Sequence, residues 1–327
     1  MTKIIRALGL FSGGLDSMLA AAVLRDQGID VTLICWVTPF FGAARARESA
    51  AHLGLPLLEV DFSDKFLPLI YDPPHGWGRG HNPCIDCHIL MLREAGALMR
   101  AGGFDFLFTG EVLGQRPMSQ NRGSLNLIAR ESGFADLVLR PLSAKSLKAT
   151  APEVQGWVDR ERLLNLSGRG RTRQMALAEA HGITRYPAPA GGCLLTDPRY
   201  AVRLKELLGH VQVASRQDLE LLKWGRHFRL PGGAKVVVGR TERENDAILA
   251  LKLPGDVLLK VDDYPGPLVL VGEAAAGEDL EKAAGLAAAY SDAPPGAPVT
   301  VTTEPAGEGR VFRLTTPGKD RFKPWLV

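Results

Sequence analysis

Six consecutive residues near the start of the chain have the types and spacing of a phosphate-binding loop. They are Ser12, Gly13, Gly14, Leu15, Asp16 and Ser17. The two glycines permit a tight turn and the close approach of a ligand, and the two serines add hydroxyl donors. Because a helix is predicted to follow at once, its free amides would also favour an anion. The Walker A pattern is absent, and Asp16 indicates that a metal ion such as Mg²⁺ accompanies the phosphates.

Cysteines form a second set of reactive residues. Cys84 and Cys87 make a C-x-x-C pair, and Cys193 lies far along the chain in a stretch rich in glycine and proline. Such a pair on its own is typical of a zinc half-site or a redox pair. With Cys193 as the third thiolate, a zinc site would need one more ligand. The candidates for that ligand are His81, Asp86 and His88.

The position of the pair bears on its chemistry. A thioredoxin-like function is disfavoured, because its C-x-x-C would open the helix of a different βαβ unit. Here the helix is predicted to begin only near Ile89, after the pair. The fourth cysteine, Cys35, lies within an apolar run and is predicted to be a small, buried hydrophobic residue.

Alternating strands and helices would position these residues. Strands are predicted at residues 4–11, 31–37, 57–61 and 104–109, and helices at 18–24, 43–53 and 89–100. This order predicts an α/β fold with a parallel sheet and right-handed crossovers, whose ligands bind beyond the carboxyl ends of the strands. The phosphate-binding loop would lie at that edge. A long turn-rich segment, residues 63–83, leads to the C-x-x-C pair and is expected to be functional.

Two blocks of sequence carry a resemblance to known families. SGGLDS at residues 12–17 resembles the signature of the PP-loop ATP pyrophosphatases, which split ATP between its α- and β-phosphates and adenylate a substrate. GEVLGQ at 110–115, followed by SQ at 119–120 and LRPL at 139–142, resembles the adenylating domain of the bacterial tRNA 4-thiouridine synthetases (ThiI). The resemblance spans about residues 5–150.

The resemblance implies that ATP and Mg²⁺ bind at the loop and at the residues after the strand at 104–109. The implied nucleotide-binding residues are Ser12, Gly13, Gly14, Asp16, Ser17, Gly110, Glu111 and Gln115. Asp16 is also expected to be catalytic through the metal ion.

The same resemblance suggests a use for the three cysteines. Iron–sulfur-dependent tRNA thiolation enzymes related to the PP-loop proteins hold a cluster with three cysteines, which leaves one iron open. It implies that Cys84, Cys87 and Cys193 are catalytic residues and ligands of a 4Fe–4S cluster that presents sulfide to the adenylated base. A persulfide on one cysteine, resolved by another, is the alternative without a cluster, and Zn²⁺ is a third. No sulfur-carrier domain is recognised, so the sulfur source stays open.

The chain divides into three predicted parts. Residues 1–150 form the PP-loop domain, 151–215 a helical extension, and 216–327 a smaller α+β domain. The extension carries the third cysteine and many arginines, which suit RNA phosphates, although such a charge run is also typical of a solvated face. In the last part, VGR at 238–240, END at 244–246 and DYPGP at 263–267 resemble the RNA-binding domain of the NFACT proteins of ribosome quality control.

The composition of the chain limits the class of protein to which it can belong. The chain has 327 residues, 46% of them hydrophobic and 23% charged, with a net charge of +3. These values are ordinary for a soluble globular protein, and the mild charge permits RNA binding without arguing for it. No apolar run approaches the roughly 20 residues needed to span a bilayer, and no signal peptide is recognised. A cytoplasmic location and no membrane partner are expected, while the oligomeric state, a homodimer included, stays open.

Taken together, the patterns predict an ATP-dependent tRNA sulfurtransferase. It would adenylate a uridine carbonyl, release pyrophosphate, and replace the oxygen with sulfur as AMP leaves. Its partners would be tRNA and a sulfur donor, either sulfide or a desulfurase that carries a persulfide. One alternative is an RNA-binding quality-control factor whose nucleotide fold is a relic. Another is an enzyme that adenylates a small molecule.

Overall fold

The computed structural model describes residues 3–78, 80–188, 193–272, 275, 277–304 and 309–327. Two compact units are present, Met1–Asp197 and Pro198–Val327. The predicted three-part division stays a prediction. Gly191 and Gly192, in the stretch rich in glycine and proline that contains the third cysteine, lie outside the described residues.

A five-stranded sheet forms the centre of the first unit. Its strands are β1 (Arg6–Leu10), β2 (Asp30–Val37), β3 (Leu57–Asp61), β4 (Phe106–Thr109) and β5 (Val138–Leu139). Their order is β3-β2-β1-β4-β5, and every neighbouring pair is parallel. The predicted parallel α/β fold is therefore confirmed. The chain moves outward from β1 to β3 and then returns to place β4 on the other side of β1, which makes a topological switch point between β1 and β4.

Helices cover this sheet. In the described part of the unit they are α1 (Leu15–Arg25), α2 (Ala44–Leu53), α3 (Ser63–Phe66), α4 (Pro68–Tyr71), α5 (Cys84–Ala101), α6 (Arg122–Ser132), α7 (Ala151–Val154) and α8 (Thr172–Ala180). Short 3₁₀ turns lie at Ala135–Leu137, Ala144–Ser146, Arg160–Arg162 and Leu194–Thr196. Apolar side chains of α1 pack into the core with those of β2 and β4, as expected for strands covered on both faces.

One predicted boundary is wrong. Helix α5 begins at Cys84 and not near Ile89, so the C-x-x-C pair lies in the first helical turn. The polar residues of that turn had suggested a loop. In the structure the Asp86 carboxylate of that turn is hydrogen-bonded to the His75 amide and ring, which removes the cost of burying it in a packed helix.

The second unit is built on an antiparallel sheet. Its strands are β6 (Arg226–Arg229), β7 (Lys235–Val238), β8 (Val257–Val261), β9 (Val269–Val271), β10 (Pro298–Glu304) and β11 (Val311–Thr315), in the order β11-β10-β8-β9-β7-β6. Its helices are α9 (Pro198–Leu208), α10 (Arg216–Leu221), α11 (Glu242–Ala250) and α12 (Gly277–Tyr290), and a 3₁₀ turn spans Lys319–Trp325. Strands β10 and β11 form an antiparallel hairpin at the edge of this sheet. Sequence reasoning missed α12, whose alanines pack against the sheet core. No helix among the described residues is long and apolar enough to cross a bilayer.

Candidate active site

The loop after β1 is shaped by one glycine and held by helix α2. Gly13 has a φ of +73°, and a Cβ there would lie 2.5 Å from the backbone carbonyl of Arg45. Ser49 of α2 donates its hydroxyl to the carbonyl oxygen of Gly13 at 2.9 Å. Only glycine tolerates both the backbone angle and the approach of α2. The loop is thereby fixed at the carboxyl edge of the sheet.

The first turn of α1 offers polar groups at this edge. Gly14 is the residue that caps the helix, and its amide donates to the Ser12 hydroxyl at 3.3 Å. The Ser17 hydroxyl donates to the Gly14 carbonyl at 2.8 Å. Ser12 is exposed and Ser17 is buried. An anion at the helix N-terminus would therefore meet backbone amides and the Ser12 hydroxyl first.

Asp16 is the acidic group of this turn. Its Oδ2 accepts a hydrogen bond from Gln115 Nε2 at 2.9 Å. Its Oδ1 is buried and has no hydrogen-bond partner among the described residues. A buried carboxylate oxygen without a partner is costly, and a hard cation such as Mg²⁺ would satisfy it. The residues present thus fit the metal ion that the sequence predicted.

The loop after β4 packs directly on the phosphate-binding loop. A Cβ on Gly110 would lie 2.5 Å from the Ser17 amide nitrogen, so no side chain fits between the two segments. Gln115 belongs to the same loop and reaches Asp16. The structure therefore brings together the two sequence blocks that carried the predicted nucleotide site, on either side of the topological switch point.

The environment of Glu111 differs from the one expected of a residue that binds a nucleotide. Its carboxylate is buried and accepts hydrogen bonds from Arg140 Nε at 2.8 Å, from His88 Nδ1 at 3.0 Å and from the Thr109 hydroxyl at 3.0 Å. Burial acts to raise its pKa, but the charge of Arg140 and the contact with His88 lower it to about 2. Glu111 is thus a charged anchor for protein side chains, and its predicted contact with the nucleotide stays a prediction.

His88 connects this anchor to the cysteine pair. Its ring is hydrogen-bonded to Glu111 and interacts electrostatically with the Cys84 thiol, one turn earlier on α5. Burial would lower the pKa of His88, but these two partners raise it to about 10. For Cys84, burial raises the pKa, while His88 and, after it, the neighbouring polar groups of Ser119 and Asn82 lower it to about 7. Near neutral pH, Cys84 therefore has substantial thiolate character.

Cys193 lies beside the C-x-x-C pair although it is far away in sequence. The residues after it are tied down by two backbone hydrogen bonds, from Leu194 to the Phe40 carbonyl at 3.1 Å and from His81 to the Leu195 carbonyl at 3.3 Å. Cys84, Cys87 and Cys193 are close enough to interact electrostatically. Their predicted proximity is thus present in the structure.

The two other thiols of this group are protonated at neutral pH. Burial and the neighbouring thiols raise the pKa of Cys87 well above its usual value. Burial also raises the pKa of Cys193 to about 12, opposed by a hydrogen bond from the Leu195 backbone and by the charge of Arg116. Cys35 is buried as predicted, and burial raises its pKa to about 11. Cys84 is thus the thiol most prepared for nucleophilic chemistry.

The described part of the chain contains no preformed site for a single metal ion. Among the described residues, no group of three His, Cys, Asp or Glu side chains is arranged to hold one ion. The candidate fourth zinc ligands are engaged elsewhere: His81 Nε2 with the Ile70 carbonyl at 2.6 Å, Asp86 with His75 Nδ1 at 2.7 Å, and His88 with Glu111. The donor chemistry of three neighbouring thiols still suits a cluster that leaves one iron open.

Comparison with protein families matches two parts of the chain. Residues 4–150 match the family model described as thiamine biosynthesis protein (ThiI). The first part of the chain is therefore similar to the ThiI family, and we call residues 4–150 the ThiI-type domain. Residues 225–326 match the model of the NFACT protein RNA-binding domain. Both resemblances inferred from short motifs are therefore confirmed, and the phosphate-binding loop, Glu111 and the C-x-x-C pair all lie in the ThiI-type domain, whereas Cys193 lies beyond the matched residues.

Relatives of the ThiI-type domain are tRNA-modifying proteins by name. The tRNA-specific 2-thiouridylase MnmA of Syntrophotalea carbinolica is 38% identical over 117 residues, which cover 30% of this chain and 32% of that protein. The MnmA of Cutibacterium acnes is 33% identical over 130 residues, which cover 32% of this chain and 34% of that protein. The chain matches about a third of the length of these relatives.

Solved structures show weaker likeness. A 4-thiouridine synthetase in complex with RNA and bound ATP has a TM-score of 0.39 and 21% identity, covering 66% of this chain and 52% of that one. The NMN synthetase of Francisella tularensis has a TM-score of 0.35 and 12% identity, covering 68% of this chain and 84% of that one. Both TM-scores are too low to support an inference about function.

Proposed function

We propose that this protein is an ATP-dependent tRNA sulfurtransferase that forms a thiouridine. One observation carries the proposal: the loop after β4 contacts both halves of the site. Its Gly110 packs on Ser17 of the phosphate-binding loop, and its Glu111 holds His88, the histidine that lowers the pKa of Cys84. A nucleotide site and a thiol site that share one loop suit a reaction in which an adenylate formed at one is attacked by sulfur from the other.

In the first step, ATP would lie with its phosphates on the N-terminus of α1. The uridine carbonyl oxygen attacks the α-phosphorus, and pyrophosphate leaves. Negative charge grows on the phosphoryl oxygens, and preorganised backbone amides of the loop stabilise it without reorganisation. Asp16 would hold Mg²⁺, which supplies charge neutralisation at the phosphates. Gln115 keeps the Asp16 carboxylate in place through their hydrogen bond.

In the second step, sulfur attacks the carbon that bears the adenylate. The new carbon–sulfur bond forms as the carbon–oxygen bond breaks, and its electron pair leaves with AMP. The three neighbouring thiols of Cys84, Cys87 and Cys193 would hold a 4Fe–4S cluster, which would supply a bound sulfide as the nucleophile.

The contact between Cys84 and His88 favours a second version of this step. A thiolate at Cys84 could accept sulfane sulfur from a desulfurase and carry it as a persulfide. The terminal sulfur would displace AMP, and a second cysteine would then attack Cys84, form a disulfide and release the thiolated base. An external thiol would have to reduce that disulfide before the next turnover.

One experiment separates these possibilities. The protein is purified without oxygen, its iron and sulfide are measured, and it is mixed with tRNA, ATP, Mg²⁺ and either sulfide or a persulfide donor. We expect tRNA-dependent pyrophosphate release and a thiouridine detected by mass spectrometry of the nucleosides. Cys193→Ala should abolish thiolation and spare ATP binding, whereas the matched Cys35→Ala should retain thiolation. If protein that contains no iron and no bound sulfide still thiolates tRNA, the version of the mechanism with a 4Fe–4S cluster is excluded.

The second unit gives the proposal its RNA partner and also an alternative. Its match to an NFACT RNA-binding domain supports a function in holding RNA. An RNA-binding factor with a relic nucleotide fold would bind RNA and release no pyrophosphate with any tRNA or sulfur source. The partnerless oxygen of Asp16 argues against a relic, because such a cost has no purpose without a ligand.

A further inference from the structure

The loop between β4 and α6 presents three successive polar groups to the candidate active site. Gln115 reaches Asp16 at the nucleotide side, Arg116 acts electrostatically on Cys193, and the Ser119 hydroxyl is buried with no hydrogen-bond partner among the described residues. Met118 of the same loop packs against Gly78, in the segment that leads to the C-x-x-C pair. Within five residues the chain therefore passes from the phosphate-binding loop to the segment beside the cysteines.

This loop is held rigidly at both ends. The Gly114 amide donates to the Gln120 carbonyl at 2.7 Å, and the Gln120 amide donates to the Arg116 carbonyl at 2.9 Å. The Leu113 amide donates to the Ser143 hydroxyl at 3.0 Å, and the Asn121 side chain donates to the Pro117 carbonyl at 2.8 Å. The backbone at Arg116 is thus fixed, and only its side chain is free to meet a ligand.

The guanidinium of Arg116 is uncommitted. Arg116 is exposed, and within the described ranges its side chain has no hydrogen bond or ion pair. Arg140, the buried cation nearby, is already engaged by Glu111 and the Leu125 carbonyl. Arg116 is thus a cation near the cysteines, one residue away from the Gln115 that contacts Asp16. Its guanidinium is available to bind an anionic ligand.

The second half-reaction needs such a charge. The attacking sulfur and the phosphate of the adenylate are both anionic, and the departing AMP gains further charge as the carbon–oxygen bond breaks. A guanidinium between them reduces their repulsion and binds two phosphate oxygens at once. We propose that Arg116 is a catalytic residue of the sulfur-transfer step, where it binds the phosphate of the adenylated base. This inference rests on the proposed function and assigns it a residue.

The test separates the two half-reactions. Wild-type protein and Arg116→Gln are mixed with tRNA, a sulfur donor and ATP labelled at the α-phosphate. Pyrophosphate, labelled RNA and thiouridine are then measured in a single turnover. We expect Arg116→Gln to release pyrophosphate at the wild-type rate, to accumulate label on the RNA, and to form thiouridine about 100-fold more slowly, as for loss of one charge-stabilising donor. Arg116→Lys should recover part of the rate, because it restores the charge but not the two-point contact.

Arg130→Gln is the matched control, since Arg130 is an arginine of the same unit whose side chain is 71% exposed. It should leave both half-reactions unchanged. Equal loss of pyrophosphate release and thiolation in Arg116→Gln would overturn the inference, since Arg116 would then bind ATP or the RNA backbone. Wild-type rates in both steps would overturn it as well. If the wild-type protein releases no pyrophosphate with any tRNA, the proposed function fails and the inference falls with it.

Discussion

Gln115 Nε2 donates a hydrogen bond to Asp16 Oδ2 at 2.9 Å, across 99 residues of sequence. This contact joins the loop after β4 to the loop after β1, at the point where the sheet order reverses. It leaves the other carboxylate oxygen of Asp16 buried and unpartnered among the described residues. Asp16 is thus oriented by one loop and available to a cation.

Asp16→Asn should remove the magnesium dependence of ATP binding. The amide still offers an oxygen to Gln115 but carries no charge for the cation. We expect Mg²⁺ to tighten ATP binding to wild-type protein, and this gain to fall by about tenfold, or ~1.4 kcal/mol, in the variant. Titration calorimetry with and without chelator measures it. Asp64→Asn, which changes an exposed acid of α3, should keep the full gain in ATP affinity from Mg²⁺. If Asp16→Asn keeps that gain as well, Asp16 does not bind the metal ion.

Gly13→Ala should weaken ATP binding more than it weakens folding. Gly13 and Gly28 both have positive φ, at 73° and 81°, so alanine at either would cost about 1–2 kcal/mol of strain. Only at Gly13 would the new Cβ collide with the α2 backbone and displace the loop, because nothing lies within 4 Å of a Cβ at Gly28. Thermal unfolding should therefore shift in both variants, and ATP affinity in Gly13→Ala alone. Equal affinities in the two variants would contradict this geometry.

Cys84 should be the first thiol to react with an alkylating agent. His88 holds the pKa of Cys84 at about 7 against the effect of burial, whereas burial raises that of Cys35 to about 11. In reduced, metal-free protein, the rate of carboxamidomethylation at Cys84 should rise with pH and level off above pH 7, while Cys35 stays unmodified. Peptide mapping from acid to alkaline pH follows both sites. His88→Gln should move the Cys84 curve to higher pH; superimposable curves would show that His88 does not activate this thiol.

His227 should make the second unit sensitive to acid. It is buried, and burial, with the charges of Arg203 and Lys235, lowers its pKa from 6.5 to about 3. Between these values the unfolded chain binds a proton that the folded chain does not, so the free energy of unfolding falls as the pH falls, by up to about 1.4 kcal/mol per pH unit.

The measurement is chemical denaturation of the full chain at several pH values between these limits. His227→Gln should flatten the pH dependence of the transition of the second unit, because glutamine cannot take up the proton. The matched His210→Gln changes a histidine whose side chain is 46% exposed and should keep the wild-type slope. Parallel slopes for all three proteins would assign the acid sensitivity to other groups.

Local patterns predicted most of the first unit. Apolar runs placed β1, β2 and β4 within a few residues, since a strand buried on both faces must be apolar along its length. The bounds of β3 were also predicted, although it is a largely exposed edge strand. The turn at Gly13 was readable because backbone angles there demand glycine. The start of α5 was not readable, because Asp86 and His88 are stable in a packed helix only through His75 and Glu111, which lie elsewhere in the sequence.

The sequence by itself determined the two family resemblances, the parallel sheet and the set of residues able to do chemistry, since these depend on residue types at short spacing. Only the tertiary structure decided that Gln115 orients Asp16, that Glu111 anchors His88, and that Cys84 differs from Cys87 and Cys193. Each of those depends on burial and on charges brought together across many residues. The packing of the chain produces this burial and these charge contacts. Through them the phosphate-binding loop and the cysteines become parts of one candidate site.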